Sequence, residues 1–284
     1  MITKDFTCRI TRTDWVTPTV LLVTFEPSVK FTYEPGQFIT WVIPGSGPGT
    51  GGPGNSNEPE RRCYSLALAP EEALQNGYQI LVKMVPGGRG SRFLKRLHVG
   101  DTVLASGPFG SFHYRTLTPN KNVCFITTST GLAPIRAIVG SSQFDIAKPE
   151  RVTLLTGVRH EKEVLFPGFF ESKGIETIPC ITYPTQLTHG LWGRVTDFLD
   201  RPTYGNGKTM DWLNTDFYVV GGERMVNEVT YQLQFKRDVP KQNIFTENFR
   251  QYLLVPPVVD TNVLVFTPRE KTWIWERLKG KKAA

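Results

Sequence analysis

The rhythm of the sequence changes near residues 114–121, and this change limits the folds that the chain can adopt. Before it, six short runs rich in β-branched and aromatic residues are separated by Gly and Pro, which predicts strands of a small antiparallel barrel. After it, strand-like runs alternate with helix-like runs, which predicts a parallel sheet covered by helices on both faces. The six early runs are residues 6–13, 19–26, 37–43, 63–67, 78–84 and 102–106. We therefore expect a barrel domain over residues 1–116, an α/β domain over 117–250 and a C-terminal extension over 251–284.

Local signals place the elements within each half. In the first half the one helical pattern begins after Gly90, with Ser91 as its expected N-cap. Residues 44–60 are mostly Gly, Pro, Ser, Asn and Glu, so we expect a flexible loop there. In the second half we expect strands near residues 123–127, 151–158, 175–183, 216–222 and 242–247, and helices near 131–139, 162–172 and 223–235.

Composition narrows the class of protein. The 284 residues are 39% hydrophobic and 21% charged, as in an ordinary globular protein. No apolar run approaches the ~18–20 residues of a membrane span, and no signal peptide is recognisable, so we expect a cytoplasmic protein. The net charge of +7 favours acidic partners, but no basic and aromatic pattern typical of nucleic-acid binding is present. The four cysteines lack the spacing of an iron–sulfur site, and we expect them to be buried and reduced.

Residues 62–65, Arg-Cys-Tyr-Ser, form the first candidate site. On a strand, Arg62 and Tyr64 point to the same side, where a guanidinium can bind a phosphate while the phenol ring lies against an aromatic ligand. The Ser65 hydroxyl is adjacent to them. This set suits a flavin, although a surface arginine above a packed barrel tyrosine is the structural alternative.

A glycine turn follows about 25 residues later, between a strand and the short helical pattern. Its backbone N–H groups and the positive end of the helix favour an anion, and the diphosphate of FAD is the expected one. The predicted cofactor residues here are Val82, Gly88, Arg89, Gly90 and Ser91. A turn without a ligand is the alternative.

Two turns in the second half follow predicted parallel strands, whose carboxyl ends are where ligands collect in α/β sheets. Thr130 and Gly131 open the first helix, and we expect them at a nicotinamide nucleotide because glycine allows a close backbone approach. Gly221 and Gly222 follow a later strand, and Met225 lies just beyond them.

These motifs occur in one order together with residues 33–38 (YEPGQF), 107–110 (GPFG) and 129–134 (STGLAP). The series resembles the ferredoxin–NAD(P)H reductase family of FAD enzymes over roughly residues 5–250. The resemblance implies a Greek-key FAD-binding barrel followed by a Rossmann-like nucleotide-binding domain. It also implies that Ser65 lies near flavin N5, that Tyr64 lies against the flavin, and that Glu247 is either near the flavin edge or a surface carboxylate. Residues 220–225 (VGGERM) resemble the family's Cys-Gly-x-x-x-Met segment, which implies that Gly221, Gly222 and Met225 lie at the nicotinamide nucleotide. Ser129 and Val220 depart from the family pattern, which usually has glycine and cysteine there.

The choice between NADH and NADPH depends on cations near the adenosine 2′ position. In the family a phosphate-binding arginine usually follows the third strand, but residues 182–186 (TYPTQ) contain no cation. Arg159, after the second predicted strand, is the candidate to take its place. We expect NADH to be preferred.

The function implied by the resemblance is hydride transfer from NAD(P)H to FAD, then single-electron transfer to a ferredoxin, a flavodoxin or an oxygenase-type acceptor. One alternative is a reductase of free flavin or ferric chelates. Another is a flavin-binding electron-transfer subunit that never meets NAD(P)H, which the two departures favour. A flavin-free interaction module leaves the barrel motifs unexplained.

Overall fold

The structure is a computed structural model, and it describes residues 4–45, 59–146, 149–185, 191–201 and 209–249. The predicted C-terminal extension and most of the predicted loop at 44–60 lie outside these ranges. The first domain contains six strands, all antiparallel to their neighbours. They are β1 (Lys4–Thr17), β2 (Val20–Pro27), β3 (Phe38–Ile43), β4 (Glu60–Ser65), β5 (Tyr78–Lys83) and β6 (Thr102–Phe109).

The first sheet is a barrel with a Greek-key connection. Its order is β4-β3-β6-β1-β2-β5, so the chain returns to place β6 between β1 and β3. The two outer strands meet just beyond β4, because Leu66 forms an antiparallel bridge with Ile80 and Ala67 N–H donates to Gln79 O at 2.8 Å. Trp41, Phe25 and Tyr78 fill the interior. The six predicted strands and the predicted barrel are confirmed.

Two helices accompany the barrel, α1 (Pro70–Asn76) and α2 (Arg89–Leu94). The prediction of a single helix in this half was wrong, because α1 buries only Ala73 and so has no apolar periodicity. The prediction of Ser91 as an N-cap was also wrong. The helix begins after Gly88, and the Ser91 hydroxyl instead accepts a 2.8 Å hydrogen bond from Val85 N–H.

The second domain is a parallel sheet in the order β10-β9-β8-β7-β11-β12. Its strands are β7 (Asn122–Thr128), β8 (Arg151–Val158), β9 (Glu176–Ile181), β10 (Leu191–Trp192), β11 (Thr215–Gly221) and β12 (Ile244–Asn248). The order runs outward from β7 to β10 and then resumes on the other side of β7 with β11. The carboxyl ends of β7 and β11 therefore form the switch point where ligands bind in such sheets.

Helices in the second domain are α3 (Leu132–Gly140), α4 (Ser142–Ile146), α5 (Phe169–Ser172), α6 (Val195–Leu199) and α7 (Glu223–Lys236). The helices predicted near 131–139 and 223–235 are confirmed. Between 162 and 172 only α5 and a short 3₁₀ turn at Glu161–Glu163 form, since Pro167 interrupts the segment. None of the helices in the described ranges is long and apolar enough to cross a membrane.

The two domains share an apolar cluster. Val20, Ala67 and Leu81 from the barrel pack in one cluster with Phe125 and Ile135 from the second domain. The chain between Phe109 and Asn122 contains no helix or strand. The expected boundary between residues 116 and 117 falls within this segment and stays a prediction.

Candidate active site

A cleft of about 390 Å³ lies where the barrel meets the second domain. The barrel supplies most of its wall, through the end of β4, the end of β5 and the first turn of α2. Thr130 and Phe249 contribute from the second domain. Of the residues predicted at the flavin and the nicotinamide, the following line this cleft: Arg62, Tyr64, Ser65, Val82, Gly88, Arg89, Gly90, Ser91 and Thr130. Residues from distant segments thus converge on one concave surface.

Two guanidinium groups in this cleft share a carboxylate. Arg62 pairs with Glu60 at 2.8 Å, and Arg89 lies 3.9 Å from the other oxygen of Glu60. Arg89 also donates to the backbone oxygen of Pro44 at 3.0 Å, and burial lowers its pKa. The pairing holds both cations at the barrel end of the cleft, where they can meet an anionic ligand.

Tyr64 packs its ring against the barrel core and presents its hydroxyl to α2. The ring makes an edge-on contact with Trp41 at 5.7 Å between centroids. A Cβ at Gly90 would lie 3.6 Å from Tyr64 Oη, an ordinary van der Waals contact, so the hydroxyl adjoins the first turn of α2. Burial raises the pKa of Tyr64, and the phenol therefore stays neutral at ordinary pH. The residue can offer a ring face and a hydroxyl, but not a charge.

A second cleft, of about 1070 Å³, lies at the carboxyl ends of the parallel strands. The residues that line it include Thr128 at the end of β7, Ser129 just after it, Arg159 after β8 and Gly222 after β11, as expected at the switch point. Met225, also predicted, lies in its wall. Lys83, Val85 and Phe249 line both clefts, so the two are contiguous.

Gly131 and Gly221 line neither cleft. Both are buried, and a Cβ on Gly131 would lie 2.4 Å from Thr127 Oγ1 and 2.7 Å from Val220 O. A Cβ on Gly221 would lie 2.6 Å from the end of the Met225 side chain. Glycine at position 131 thus allows the turn after β7 to pack closely on β11, and it does not make room for a ligand.

Glu247 and Val220 are also buried rather than exposed to a cleft. Glu247 on β12 is 2% exposed, and Val220 on β11 is fully buried. Burial raises the pKa of the Cys63 thiol to about 12, and the nearby charge of Glu247 adds to this shift. Glu247 is therefore near a residue of the smaller cleft, and the alternative of a surface carboxylate is excluded. Position 220 therefore lies behind the cleft surface and not on it.

A polar network links the domains at the wall of the larger cleft. Lys83 Nζ donates to Thr19 Oγ1 at 2.7 Å and lies 3.6 Å from Glu163 Oε1, and Arg159 N–H donates to Glu163 Oε2 at 3.1 Å. Burial opposes ionisation of Glu163, but these partners outweigh it and lower its pKa. Lys83, Thr19 and Glu163 were not predicted as site residues, because only the tertiary fold brings them together.

Within the described part of the chain, three guanidinium groups of the larger cleft have no ionic partner. They belong to Arg159, Arg194 and Arg224, and all three residues are exposed. Arg194 directly follows Gly193, and Arg224 lies two residues after the Gly221-Gly222 pair. Glycines of this kind predict turns, but they do not predict an anion-binding site. An anionic ligand entering this cleft would meet cations without first having to break their ion pairs. Across the described residues, no group of three or more His, Cys, Asp or Glu side chains is placed to bind a metal.

The fold and the paired clefts define a two-domain flavoprotein oxidoreductase, and comparison with known proteins agrees. Residues 26–114 match the family described as oxidoreductase FAD-binding domain. The resemblance to the ferredoxin–NAD(P)H reductase family is confirmed by this match and by a relative of that kind.

Individual relatives cover most of the chain at low identity. Ferredoxin–NADP reductase B of Sorangium cellulosum is 25% identical over 256 residues, which are 87% of this chain and 98% of that protein. Reductase component 1 of terephthalate 1,2-dioxygenase from Comamonas sp is 28% identical over 215 residues, which are 72% of this chain and 57% of that protein. A ferredoxin NADP⁺ reductase from Neisseria gonorrhoeae, solved with FAD and NADP, has a TM-score of 0.68 at 18% identity, covering 87% of this chain and 98% of that one.

Proposed function

We propose that the protein transfers a hydride from NADH to FAD and then passes electrons singly to an external acidic carrier protein. The observation that carries this proposal is the contiguity of the two clefts at Lys83, Val85 and Phe249. A ligand in each cleft would meet the other there, as direct hydride transfer requires. When bound, FAD supplies the redox chemistry, and the chain supplies position and electrostatics.

The residues of the smaller cleft fit FAD. Arg62 and Arg89 offer cationic donors for the diphosphate, and no side chain caps the N–H groups at the start of α2. The Tyr64 ring would lie against the isoalloxazine, and the Ser65 hydroxyl would hold a proton near the reacting edge of the flavin. Phe249 closes the cleft from the second domain and would exclude water. Glu247, buried beside Cys63, is proposed to tune the electrostatics of this edge and not to touch the flavin.

The residues of the larger cleft fit a dinucleotide. Arg159, Arg194 and Arg224 would neutralise its phosphates, and Thr130 would contact the nicotinamide where the clefts meet. NADH is proposed over NADPH because Glu161, in the 3₁₀ turn after β8, directs its carboxylate at the segment after β9. Its carboxylate accepts hydrogen bonds from Thr185 N–H at 2.6 Å and from Thr185 Oγ1 at 3.1 Å. A 2′-phosphate placed at this segment would face that carboxylate.

Anaerobic stopped-flow reduction of the FAD-loaded protein tests the choice of dinucleotide. NADH should bleach the flavin faster than NADPH at equal concentration. Glu161→Gln should narrow the difference by improving NADPH, while Glu171→Gln, on α5, serves as a control for the loss of one negative charge. A wild-type protein reduced much faster by NADPH would overturn this choice and make Arg159 and Arg194 the candidates for binding the 2′-phosphate.

The acceptor is proposed to be an acidic protein, such as a ferredoxin or flavodoxin, because the chain carries a net charge of +7. Arg92, Lys95 and Arg96 are exposed on and just after α2, next to the smaller cleft. Attraction between opposite charges weakens as the Debye length falls from about 10 Å at 0.1 M salt to about 3 Å at 1 M. Turnover with ferredoxin should fall steeply over this range, and turnover with ferricyanide should fall much less. Equal salt dependence would favour a reductase of free flavin or ferric chelates.

A further inference from the structure

Glu60 pairs with both guanidinium groups of the smaller cleft without lining the cleft itself. Arg62 Nε donates to Glu60 Oε1 at 3.0 Å, and Arg62 Nη2 lies 2.8 Å from the same oxygen. Arg89 Nη1 lies 3.9 Å from Glu60 Oε2. Both arginines line the cleft, and Glu60 does not. One carboxylate thus offsets part of the positive charge that the two arginines bring to the cleft.

The contacts with Glu60 occupy donors that a phosphate can use. The Nε and Nη2 groups of Arg62 form one edge of its guanidinium, and such an edge can bind two oxygens of a phosphate side by side. Glu60 takes that edge, although the Arg62 side chain is 37% exposed and an anion in the cleft can reach it.

Arg89 depends less on Glu60 than Arg62 does. Its guanidinium donates to Pro44 O at 3.0 Å and to Ile43 O at 3.4 Å. The Arg89 side chain is only 8% exposed, so its position is fixed by the protein around it. A diphosphate in the cleft therefore has to compete with Glu60 mainly for Arg62, while Arg89 stays in place.

We propose that Glu60 competes with the FAD diphosphate for Arg62 and Arg89 and thereby limits how tightly the protein holds FAD. This inference rests on the proposed function, in which FAD occupies the smaller cleft. The diphosphate brings negative charge towards a carboxylate, and like charges repel more strongly at a partly buried site than in water. The fraction of chains that carry FAD then depends on the concentration of free FAD, and the cofactor exchanges with the solution.

Glu60→Gln separates the charge of Glu60 from its hydrogen bonds, because an amide oxygen can still accept from Arg62. Glu60→Ala removes both and serves as a second variant. Glu26→Gln is the matched control, since Glu26 also pairs with an arginine of the barrel, Arg9, and lines neither cleft. Fluorescence titration of the full-length chain gives the dissociation constants of FAD and of riboflavin, which has the same ring system and no phosphate. Circular dichroism confirms that each variant is folded.

Glu60→Gln should bind FAD about threefold to tenfold more tightly than the wild type, as expected for the loss of one repulsive charge at a partly exposed site. Glu60→Ala should also bind FAD more tightly, but neither variant should bind riboflavin more tightly, and Glu26→Gln should match the wild type. Unchanged or weaker FAD binding in Glu60→Gln would overturn the inference, and weaker binding would show that the charge of Glu60 is needed to hold Arg62. An equal gain for riboflavin would also overturn it, because the effect would not depend on the diphosphate. A wild-type chain that binds no FAD would instead refute the proposed function.

Discussion

Arg136→Ala removes a guanidinium that connects the two domains. Arg136 lies on α3, yet its Nη1 donates to Gln79 Oε1 at 2.9 Å and to Ala67 O at 3.3 Å, both in the barrel domain. Its guanidinium carbon also lies 4.5 Å from the centre of the Phe166 ring. Burial lowers the pKa of Arg136, but arginine stays charged at any ordinary pH.

The expected cost follows from these contacts. Two hydrogen bonds from a charged donor to neutral acceptors contribute about 1–2 kcal/mol together after solvent competition. The contact with Phe166 adds about 1 kcal/mol at a partly buried site. We therefore expect Arg136→Ala to lower the free energy of unfolding by about 2–3 kcal/mol. Arg136→Lys should recover less than half of this loss, because an ammonium lacks the planar fork of donors.

Urea unfolding followed by far-ultraviolet circular dichroism measures this change. Lys241→Ala is the matched control, since Lys241 is an exposed cation of the second domain and should change stability by less than about 0.5 kcal/mol. FAD content should be retained in every variant, because Arg136 lines neither cleft. An Arg136→Ala protein as stable as the control would refute the idea that this residue holds the domains together.

Three further changes have defined outcomes. Tyr64→Ala should weaken FAD binding by about 1–3 kcal/mol, by analogy with base–aromatic stacking, and Tyr64→Phe should not; a fluorescence titration with FAD measures both. Glu163→Gln should lower the free energy of unfolding by about 1–3 kcal/mol at neutral pH. The pKa of Glu163 is lowered in the folded protein. The stabilisation that its carboxylate provides is therefore fully present above the unfolded pKa of about 4.3, and it disappears as the pH falls through the folded pKa. The unfolding curves of wild type and Glu163→Gln should thus converge in acid. Gly131→Ala should destabilise the protein by about 1–3 kcal/mol, because its Cβ would collide with Val220 O, and a melting temperature equal to that of the wild type would contradict this packing.

Much of the fold could be predicted because its signals are local. Alternation of β-branched and aromatic residues identified the barrel strands, and the strand and helix alternation identified the parallel sheet. Helix α1 was missed although Pro70 and two glutamates mark its first turn, because one buried residue gives no periodic pattern. Ser91 was misplaced because a hydroxyl inside a short helix gives the same local signal as an N-cap.

The candidate site was predictable in part for the same reason. Its turns and its Arg-x-Tyr-Ser element are short motifs, whereas the contacts that join the domains are long-range. Arg136 and Gln79 are 57 residues apart, and Thr19 and Glu163 are 144 residues apart. Gly131 shows a further limit, since a sequence cannot tell whether a glycine makes room for a ligand or for a neighbouring strand.

The central claim is that one chain brings a flavin and a nicotinamide together in two contiguous clefts. The most direct test is a single-turnover experiment in which FAD-loaded protein is mixed anaerobically with one equivalent of NADH while the flavin absorbance is recorded. We expect one FAD per chain and near-complete bleaching of the flavin by that single equivalent. A protein that holds FAD but is bleached by neither NADH nor NADPH would contradict it and would support a flavin-binding electron-transfer subunit instead.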